Sequence, residues 1–283
     1  MSSECSVSLE DVTVRYGRTV ALEGVTLEFD EGVHVLYGPN GSGKTTLLRV
    51  IAGLIKPVKG AVRVCDRDPR RALLSGKRLV SGLIGYESLP FWLKTGQYLS
   101  LFQNLLCGDG ECGGVVDLLG VKGFYHTGMS GLSSGMAKKV LLTISLMGPS
   151  RILLLDEPFT YIDAQARDRV VEAVEETKKG RIVVIASHFI PGNLDVDRIV
   201  FLDNGVVRRI LDKRNVNGVE DYIIYARLKL REITSESARY LFEEVGAKSI
   251  VREDGYYYVV VNGRGLEECT RTGVCTGEYR IRF

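Results

Sequence analysis

Apolar and polar residues alternate along two stretches near the start of the chain, 6–16 and 21–29. A two-residue period sends neighbouring side chains to opposite faces, so both stretches are predicted to be half-buried strands. Further strands are predicted at 32–38, 61–65, 83–86, 151–156 and 181–187, and the last two contain uninterrupted apolar runs. Short runs of this kind are typical of strands that are covered on both faces of a sheet.

Helical periodicity occurs between these strands, at 44–54, 95–106, 115–119, 134–147 and 164–179. Strands that alternate with helices predict an α/β fold with a mainly parallel sheet. Two later predicted strands, 197–202 and 206–210, flank Asp203-Asn204-Gly205. This tripeptide is a strong signal for a hairpin turn, because Asn and Gly tolerate positive φ. The first two strands and this hairpin are predicted to be antiparallel additions.

The pattern changes near residue 215, which divides the chain into predicted domains 1–214 and 215–283. The second domain is predicted to contain a strand, a helix, two strands, a short helix or turn and a last strand, at 222–230, 235–245, 248–252, 256–261, 266–270 and 278–283. This order suits a small α+β domain of the split-βαβ kind.

A glycine-rich loop follows the strand at 32–38 and leads into the helix at 44–54. It has the pattern G-x-x-x-x-G-K-[ST] and reads Gly38-Pro39-Asn40-Gly41-Ser42-Gly43-Lys44-Thr45-Thr46. The glycines let backbone N–H groups approach phosphate oxygens, and the following helix adds its positive end. The flanking strand and helix disfavour an accidental glycine-rich turn, so the loop predicts a nucleoside triphosphatase.

The apolar strand at 151–156 ends in two acids, Asp156 and Glu157. Asp156 is placed to hold Mg²⁺ beside the phosphate loop, and Glu157 to accept a proton from an attacking water. Paired acids at a strand end also occur as a solvated turn. The complete phosphate loop favours the functional interpretation.

Leu132-Ser133-Ser134-Gly135-Met136 precedes a predicted helix, and Ser187-His188 closes the strand at 181–187. Alone, serine and glycine before a helix are ordinary capping chemistry. In this order, however, the phosphate loop, this serine-glycine signature, the acid pair and the late histidine resemble the ATP-binding-cassette family over about residues 6–210. The resemblance implies a P-loop nucleotide-binding domain with a mainly parallel sheet, an antiparallel β subdomain and a helical subdomain.

The resemblance also implies ATP and Mg²⁺ as ligands. Lys44, Glu157 and His188 would be the catalytic residues, and residues 38–46 would bind ATP with Tyr16 stacked on the adenine. Thr45 and Asp156 would hold the metal. The alternatives are a core tyrosine at a strand end and a core histidine.

Further family roles concern the contact between two cassettes. Ser133, Ser134 and Gly135 resemble the signature that reaches ATP bound by the opposing subunit, and Asp163 resembles the aspartate that couples the two sites. A homodimer or heterodimer of nucleotide-binding domains is therefore expected, with ATP sandwiched at its interface.

The sequence departs from the family pattern in two places. The family glutamine expected after the strand at 83–86 is missing, and Glu87 is the candidate replacement as a ligand of Mg²⁺ or water. The signature has Ser134 where glycine is usual, and it ends in Met136 instead of glutamine. Phe91-Trp92 is interpreted either as a surface that meets a membrane partner or as core packing.

Composition adds few constraints. Lys and Arg total 37 against 35 Asp and Glu, so no nucleic-acid partner is expected. Scattered basic pairs such as Lys138-Lys139 are predicted to be solvated surface. The six cysteines lack zinc spacing, and they are expected to be reduced thiols, with local disulfides at Cys107/Cys112 and Cys269/Cys275 as the alternative.

No signal peptide or membrane-spanning run is recognised, so a separate transmembrane subunit is expected to do the spanning. The protein is accordingly expected at the cytoplasmic face of the membrane, as a peripheral ATPase of a transporter, with export favoured over import. Two alternatives stay open: a soluble mechanical ATPase, such as one serving a cofactor-assembly complex, and a regulatory module that has lost catalysis.

Overall fold

The structure is a computed structural model, and it describes most of the chain. The described ranges are 5–85, 89–107, 114–147, 150–191, 193–212, 223–228, 233–247, 249–253, 256–261, 269 and 272–282. The chain divides into two units, the first formed by Met1–Ser187 with Asp195–Leu211 and the second by His188–Leu194 with Asp212–Phe283. The boundary predicted after residue 214 falls outside the described residues and stays a prediction.

The first unit alternates strands and helices along most of its length. In chain order its elements are β1 Val7–Tyr16, β2 Thr19–Phe29, β3 Gly32–Tyr37, α1 Lys44–Ile51, β4 Lys59–Val64, α2 Pro69–Leu74, β5 Val80–Leu83, α3 Thr95–Cys107, α4 Val115–Leu118, α5 Ser134–Leu146, β6 Ile152–Asp156, α6 Ala164–Thr177, β7 Ile182–Ser187, β8 Arg198–Asp203 and β9 Val206–Asp212. Across the described ranges, the helices are too short or too polar to traverse a bilayer.

A six-stranded sheet in the order β5-β6-β7-β3-β8-β9 forms the centre of this unit. Every residue of β6 and β7 is buried, as their apolar runs predict. Strand β8 pairs parallel to β3. The chain therefore crosses back to the amino-terminal ends of the parallel strands between β7 and β8. The prediction that the whole late hairpin is an antiparallel addition is therefore wrong for β8.

A second, three-stranded sheet packs against the first through a shared core. Its order is β2-β1-β4, and β1 pairs antiparallel with both neighbours. Phe29 and Leu22 from this sheet and Leu47 from α1 are fully buried in one cluster with side chains of β6 and β7. Burial of large side chains of this kind stabilises the fold by about 1.5–3 kcal/mol each. The phosphate-loop helix is thus fixed by both sheets.

Two elements differ from the sequence prediction. The strand expected at 83–86 lies earlier, as β5. Helix α2 was not predicted, although Asp68 caps it by accepting a hydrogen bond from the Arg71 N–H over 3.0 Å and Pro69 occupies its first turn. The Asp-Pro pair is a helix-start signal, but six residues are too few for a periodic pattern to stand out.

The second unit contains a four-stranded antiparallel sheet. Its elements are β10 Ile223–Leu228, α7 Ser235–Glu243, β11 Ser249–Glu253, β12 Tyr256–Val261 and β13 Cys275–Arg282, and the sheet order is β11-β12-β10-β13. Thr234 and Ser237 form a capping box at the start of α7. Leu241 of α7 packs on β12 in a small core. Most of the short helix predicted at 266–270 lies outside the described residues.

The cysteines correct one expectation. Cys5 is disulfide-bonded to Cys65 across a separation of 60 residues, Cys269 is bonded to Cys275, and Cys107 is also in a disulfide. The described residues include no free cysteine, so the expectation of reduced thiols is wrong. The pairing of Val7 with Val64 brings Cys5 and Cys65 together, which spacing along the chain could not show.

Replacing Cys65 with Ser should lower the free energy of unfolding by about 2–4 kcal/mol, because the disulfide closes a long loop in the unfolded chain. Urea unfolding of the oxidised protein measures this change. Cys269→Ser is the matched control, since that bond spans only 6 residues and closes a shorter loop. Thiol titration of the denatured wild type that finds Cys5 and Cys65 reduced would contradict the assignment.

Candidate active site

The loop between β3 and α1 is shaped by glycines at positions where a side chain would clash or strain the backbone. A Cβ on Gly38 would lie 2.1 Å from the carbonyl oxygen of Leu202. Gly41 and Gly43 have φ values of 82° and 106°, which favour glycine. The backbone can therefore wrap as closely as phosphate binding requires.

The β8–β9 hairpin turn supports this loop from behind. The N–H of Gly205 donates to the Ser42 carbonyl over 2.9 Å, and the Gly205 carbonyl accepts from the N–H of Glu23 over 2.9 Å. Asn204 and Gly205 adopt positive φ, as the predicted turn requires. The sequence indicated the hairpin but gave no signal for this contact with the phosphate loop.

Lys44 lies across the cradle that the loop forms. Its Nζ donates to the carbonyls of Gly38 at 2.7 Å and Pro39 at 3.0 Å, and lies 3.7 Å from Oε1 of Glu157. The side chain is buried, which lowers its pKa, while Glu157 and Asp156 oppose that shift. A desolvated ammonium held in this way is a suitable partner for phosphate oxygens.

Thr45 and Asp156 meet although they are 111 residues apart. The Thr45 hydroxyl donates to Oδ2 of Asp156 over 2.8 Å. Burial raises the pKa of the Asp156 carboxyl, and the Thr45 hydrogen bond is the largest effect that lowers it. Hydroxyl and carboxylate oxygens are hard ligands that suit Mg²⁺, so these two groups fit the metal that the resemblance implies.

Glu157 is held in an unusual backbone conformation directly after β6. Its φ is 47°, which costs of the order of 1–3 kcal/mol for a non-glycine residue. Its N–H donates to the Ala186 carbonyl over 2.8 Å, and its carbonyl accepts from the Thr160 hydroxyl over 2.8 Å. Strain that is fixed by hydrogen bonds on both sides is typical of a residue positioned for chemistry.

The loop also fits a phosphate-bearing ligand by an independent observation. The Ser42 hydroxyl is buried and has no hydrogen-bond partner among the described residues. A buried polar group without a partner is costly unless a ligand or water satisfies it. Together with the glycine cradle and Lys44, it makes a site suited to the phosphates of ATP.

The signature and the coupling aspartate have structural roles that sequence reasoning gave only in part. Ser133 caps α5 by accepting from the Met136 N–H over 3.2 Å, and both Ser133 and Ser134 are exposed. Asp163 caps α6 by accepting from the Ala166 N–H over 2.7 Å, which lowers the pKa of its carboxyl. Their roles toward a second subunit stay predictions.

Tyr16, His188 and Glu87 are three further residues that the sequence predicts for the site. Tyr16 ends β1 and is 46% exposed, so the interpretation as a core tyrosine is wrong. His188 is exposed directly after β7 and groups with the second unit, so a core role for it is also wrong. Glu87 lies outside the described residues. Adenine stacking by Tyr16 and catalysis by His188 stay predictions.

Similarity to known proteins agrees with this geometry. The profile of the ABC transporter family matches residues 22–160. The chain is 31% identical over 201 residues to the putative ABC transporter ATP-binding protein PF0068 of Pyrococcus furiosus, covering 66% of this chain and 75% of that protein. The chain belongs to the ABC transporter family. It binds ATP and is an ATP hydrolase.

Two further comparisons define how far the similarity extends. The mouse glucosylceramide transporter ABCA12 is 29% identical over 214 residues, which are 72% of this chain but only 8% of that much longer protein. The dimeric post-hydrolysis structure of the ATP-binding cassette MJ0796 with ADP and Pi superposes with a TM-score of 0.61 at 23% identity, covering 73% of this chain and 98% of that one. This likeness confirms the predicted ABC nucleotide-binding fold.

Gly38→Ala should weaken ATP binding by about a hundredfold, because the added Cβ forces the phosphate loop away from Leu202 and misplaces its N–H groups. Titration with a fluorescent ATP analogue measures the affinity. Gly123→Ala is the matched control, since its Cβ would meet no atom within 4 Å. Wild-type affinity in Gly38→Ala would contradict the described loop.

Proposed function

We propose that the chain is the ATP-driven motor of a transporter and works with a separate transmembrane subunit at the cytoplasmic face of the membrane. The observation that carries this proposal is the set of Lys44, Thr45, Asp156 and Glu157 joined by short contacts in an ABC fold. Export is favoured over import because the small C-terminal unit resembles the tails of single-cassette exporter subunits.

In the proposed reaction, Lys44 exchanges its loop carbonyls for the β- and γ-phosphates of ATP. Glu157 accepts the proton of the attacking water, and His188 orients that water. Thr45 and Asp156 would hold Mg²⁺, which neutralises phosphate charge when bound. Oε1 of Glu157 lies 3.7 Å from Nζ of Lys44, so the proposed base and the phosphate-binding lysine lie next to each other.

We further propose that two cassettes close around ATP. The exposed Ser133 and Ser134 are available to a second subunit, and Gly135 adds no side chain that would obstruct it. Closure on ATP and opening after hydrolysis would supply the mechanical work. The second cassette would be another copy of this chain or a related one.

An exposed aromatic pair marks the surface proposed for the membrane subunit. Phe91 and Trp92 are each 71% exposed, and their rings pack edge to face with centroids 5.0 Å apart. The interpretation as core packing is therefore wrong. Exposed clustered aromatics are typical of interaction sites, and this pair lies just before α3.

The soluble mechanical ATPase is the second candidate, because it would use the same catalytic residues. A regulatory module without catalysis is disfavoured by the intact Lys44–Glu157 arrangement. The two active candidates differ in their partners, so partner capture separates them.

Glu157→Gln should slow hydrolysis by about a hundredfold and hold the ATP-bound closed state. Affinity purification of this tagged variant with ATP from detergent-solubilised native membranes should recover a polytopic membrane protein. Wild type without ATP is the control. Exclusively soluble partners would contradict the transporter proposal and favour the mechanical ATPase.

Adding Phe91→Ala and Trp92→Ala to Glu157→Gln should abolish recovery of the membrane protein while ATP binding stays unchanged, because the aromatic contact is lost away from the phosphate loop. Leu74→Ala in the same background is the control, since Leu74 is 78% exposed but lies on α2. Equal recovery with and without the aromatic pair would show that this surface is not the docking site.

A further inference from the structure

The peptide group before Glu157 is held from both sides. Its N–H donates to Ala186 in β7 over 2.8 Å. Its carbonyl, Asp156 O, accepts a hydrogen bond from Nζ of Lys138 over 3.2 Å. The φ angle of Glu157 is 47°, and it relates this peptide plane to the substituents of the Glu157 Cα. The orientation of the peptide plane therefore sets the direction in which the Glu157 side chain leaves the backbone. Lys138 therefore contacts the frame that carries the Glu157 carboxylate.

Lys138 is not the solvated surface residue that its basic pair predicts. The side chain is partly buried, and burial lowers its pKa while Asp156 and Glu157 attract its charge. A cation withdrawn from water is unfavourable unless opposite charges and acceptors balance it. The acid pair and the Asp156 carbonyl supply that balance, so the ammonium belongs to the site.

Lys138 also lies on the helix that begins at the signature. It follows Gly135 by one turn of α5, and a Cβ built on Gly135 would lie 3.0 Å from the carbonyl oxygen of Tyr161. Helix α5 thus forms a hydrogen bond to Asp156 O and passes close to Tyr161 O, on either side of Glu157 in the sequence. The signature and the acid pair are therefore carried by segments of the chain that lie next to each other.

We propose that Lys138 is a positioning residue that holds the Asp156–Glu157 peptide for hydrolysis and transmits engagement of the signature to Glu157. When the signature contacts ATP bound by the opposing subunit, α5 would move. This movement would change the hydrogen bond at Asp156 O and redirect the Glu157 carboxylate. The positioning role depends on contacts within this chain, whereas the transmission role rests on the proposed sandwich dimer.

The test compares Lys138→Met, which removes the charge and the donors, with Lys138→Arg, which keeps both. Lys179→Met is the control for loss of a lysine, because Lys179 is exposed after α6. Steady-state ATP hydrolysis gives kcat, KM and the Hill coefficient for each full-length variant. Thermal unfolding and binding of a fluorescent ATP analogue report folding and affinity, and Lys138→Gln replaces Lys138→Met if the latter unfolds.

Lys138→Met should lower kcat by about tenfold or more with KM changed less than about threefold, because a charged hydrogen bond to the catalytic frame is lost while the phosphate loop is intact. Lys138→Arg should recover most of kcat, and the Hill coefficient of Lys138→Met should fall toward that of independent sites.

Wild-type kcat in Lys138→Met, or equal losses in Met and Arg variants, would overturn the positioning role. A wild-type Hill coefficient in a slowed Lys138→Met would overturn the transmission role. Absence of hydrolysis in the wild type would instead contradict the proposed function.

Discussion

The hydrogen bond between the Thr45 hydroxyl and the Asp156 carboxylate is the contact on which the rest of the site depends. It joins the helix that follows β3 to the end of β6, two strands that are separated in the sheet by β7. All three strands are parallel and in register, so their carboxyl ends meet at one edge. Ligands of open α/β sheets bind at such an edge. The phosphate loop and the acid pair can therefore act on the same molecule.

Close approach of backbone groups supplies the second constraint. The phosphate loop passes so near to Leu202 that only glycine fits at position 38, and the hairpin turn at Gly205 donates into the loop. On the other side, the strained backbone of Glu157 is fixed by Ala186 and Thr160. The catalytic groups thus acquire their positions from hydrogen bonds of the main chain, which cost little reorganisation during a reaction cycle.

Much of this architecture could be predicted because its signals are local. The buried strands have uninterrupted apolar runs, and the spacing of the glycines indicates the geometry of the phosphate loop. The resemblance extended these signals to Asp156, Glu157 and the signature. Three features were not predicted, because each depends on residues that are distant along the chain. They are the Cys5–Cys65 disulfide, the parallel pairing of β8 with β3 and the partial burial of Lys138. The sequence predicts Lys138 to be half of a basic surface pair. Only the packing of α5 next to the end of β6 shows its contact with Asp156 O.

We propose that ATP bound between two cassettes completes the hydrolytic site. Sedimentation velocity of Glu157→Gln tests it most directly, with and without ATP and Mg²⁺ at equal protein concentration. We expect a monomer without nucleotide and a dimer with ATP, and the dimer should disappear when Ser134 is replaced by a bulky residue. A protein that binds ATP yet sediments as a monomer at saturating nucleotide would contradict it.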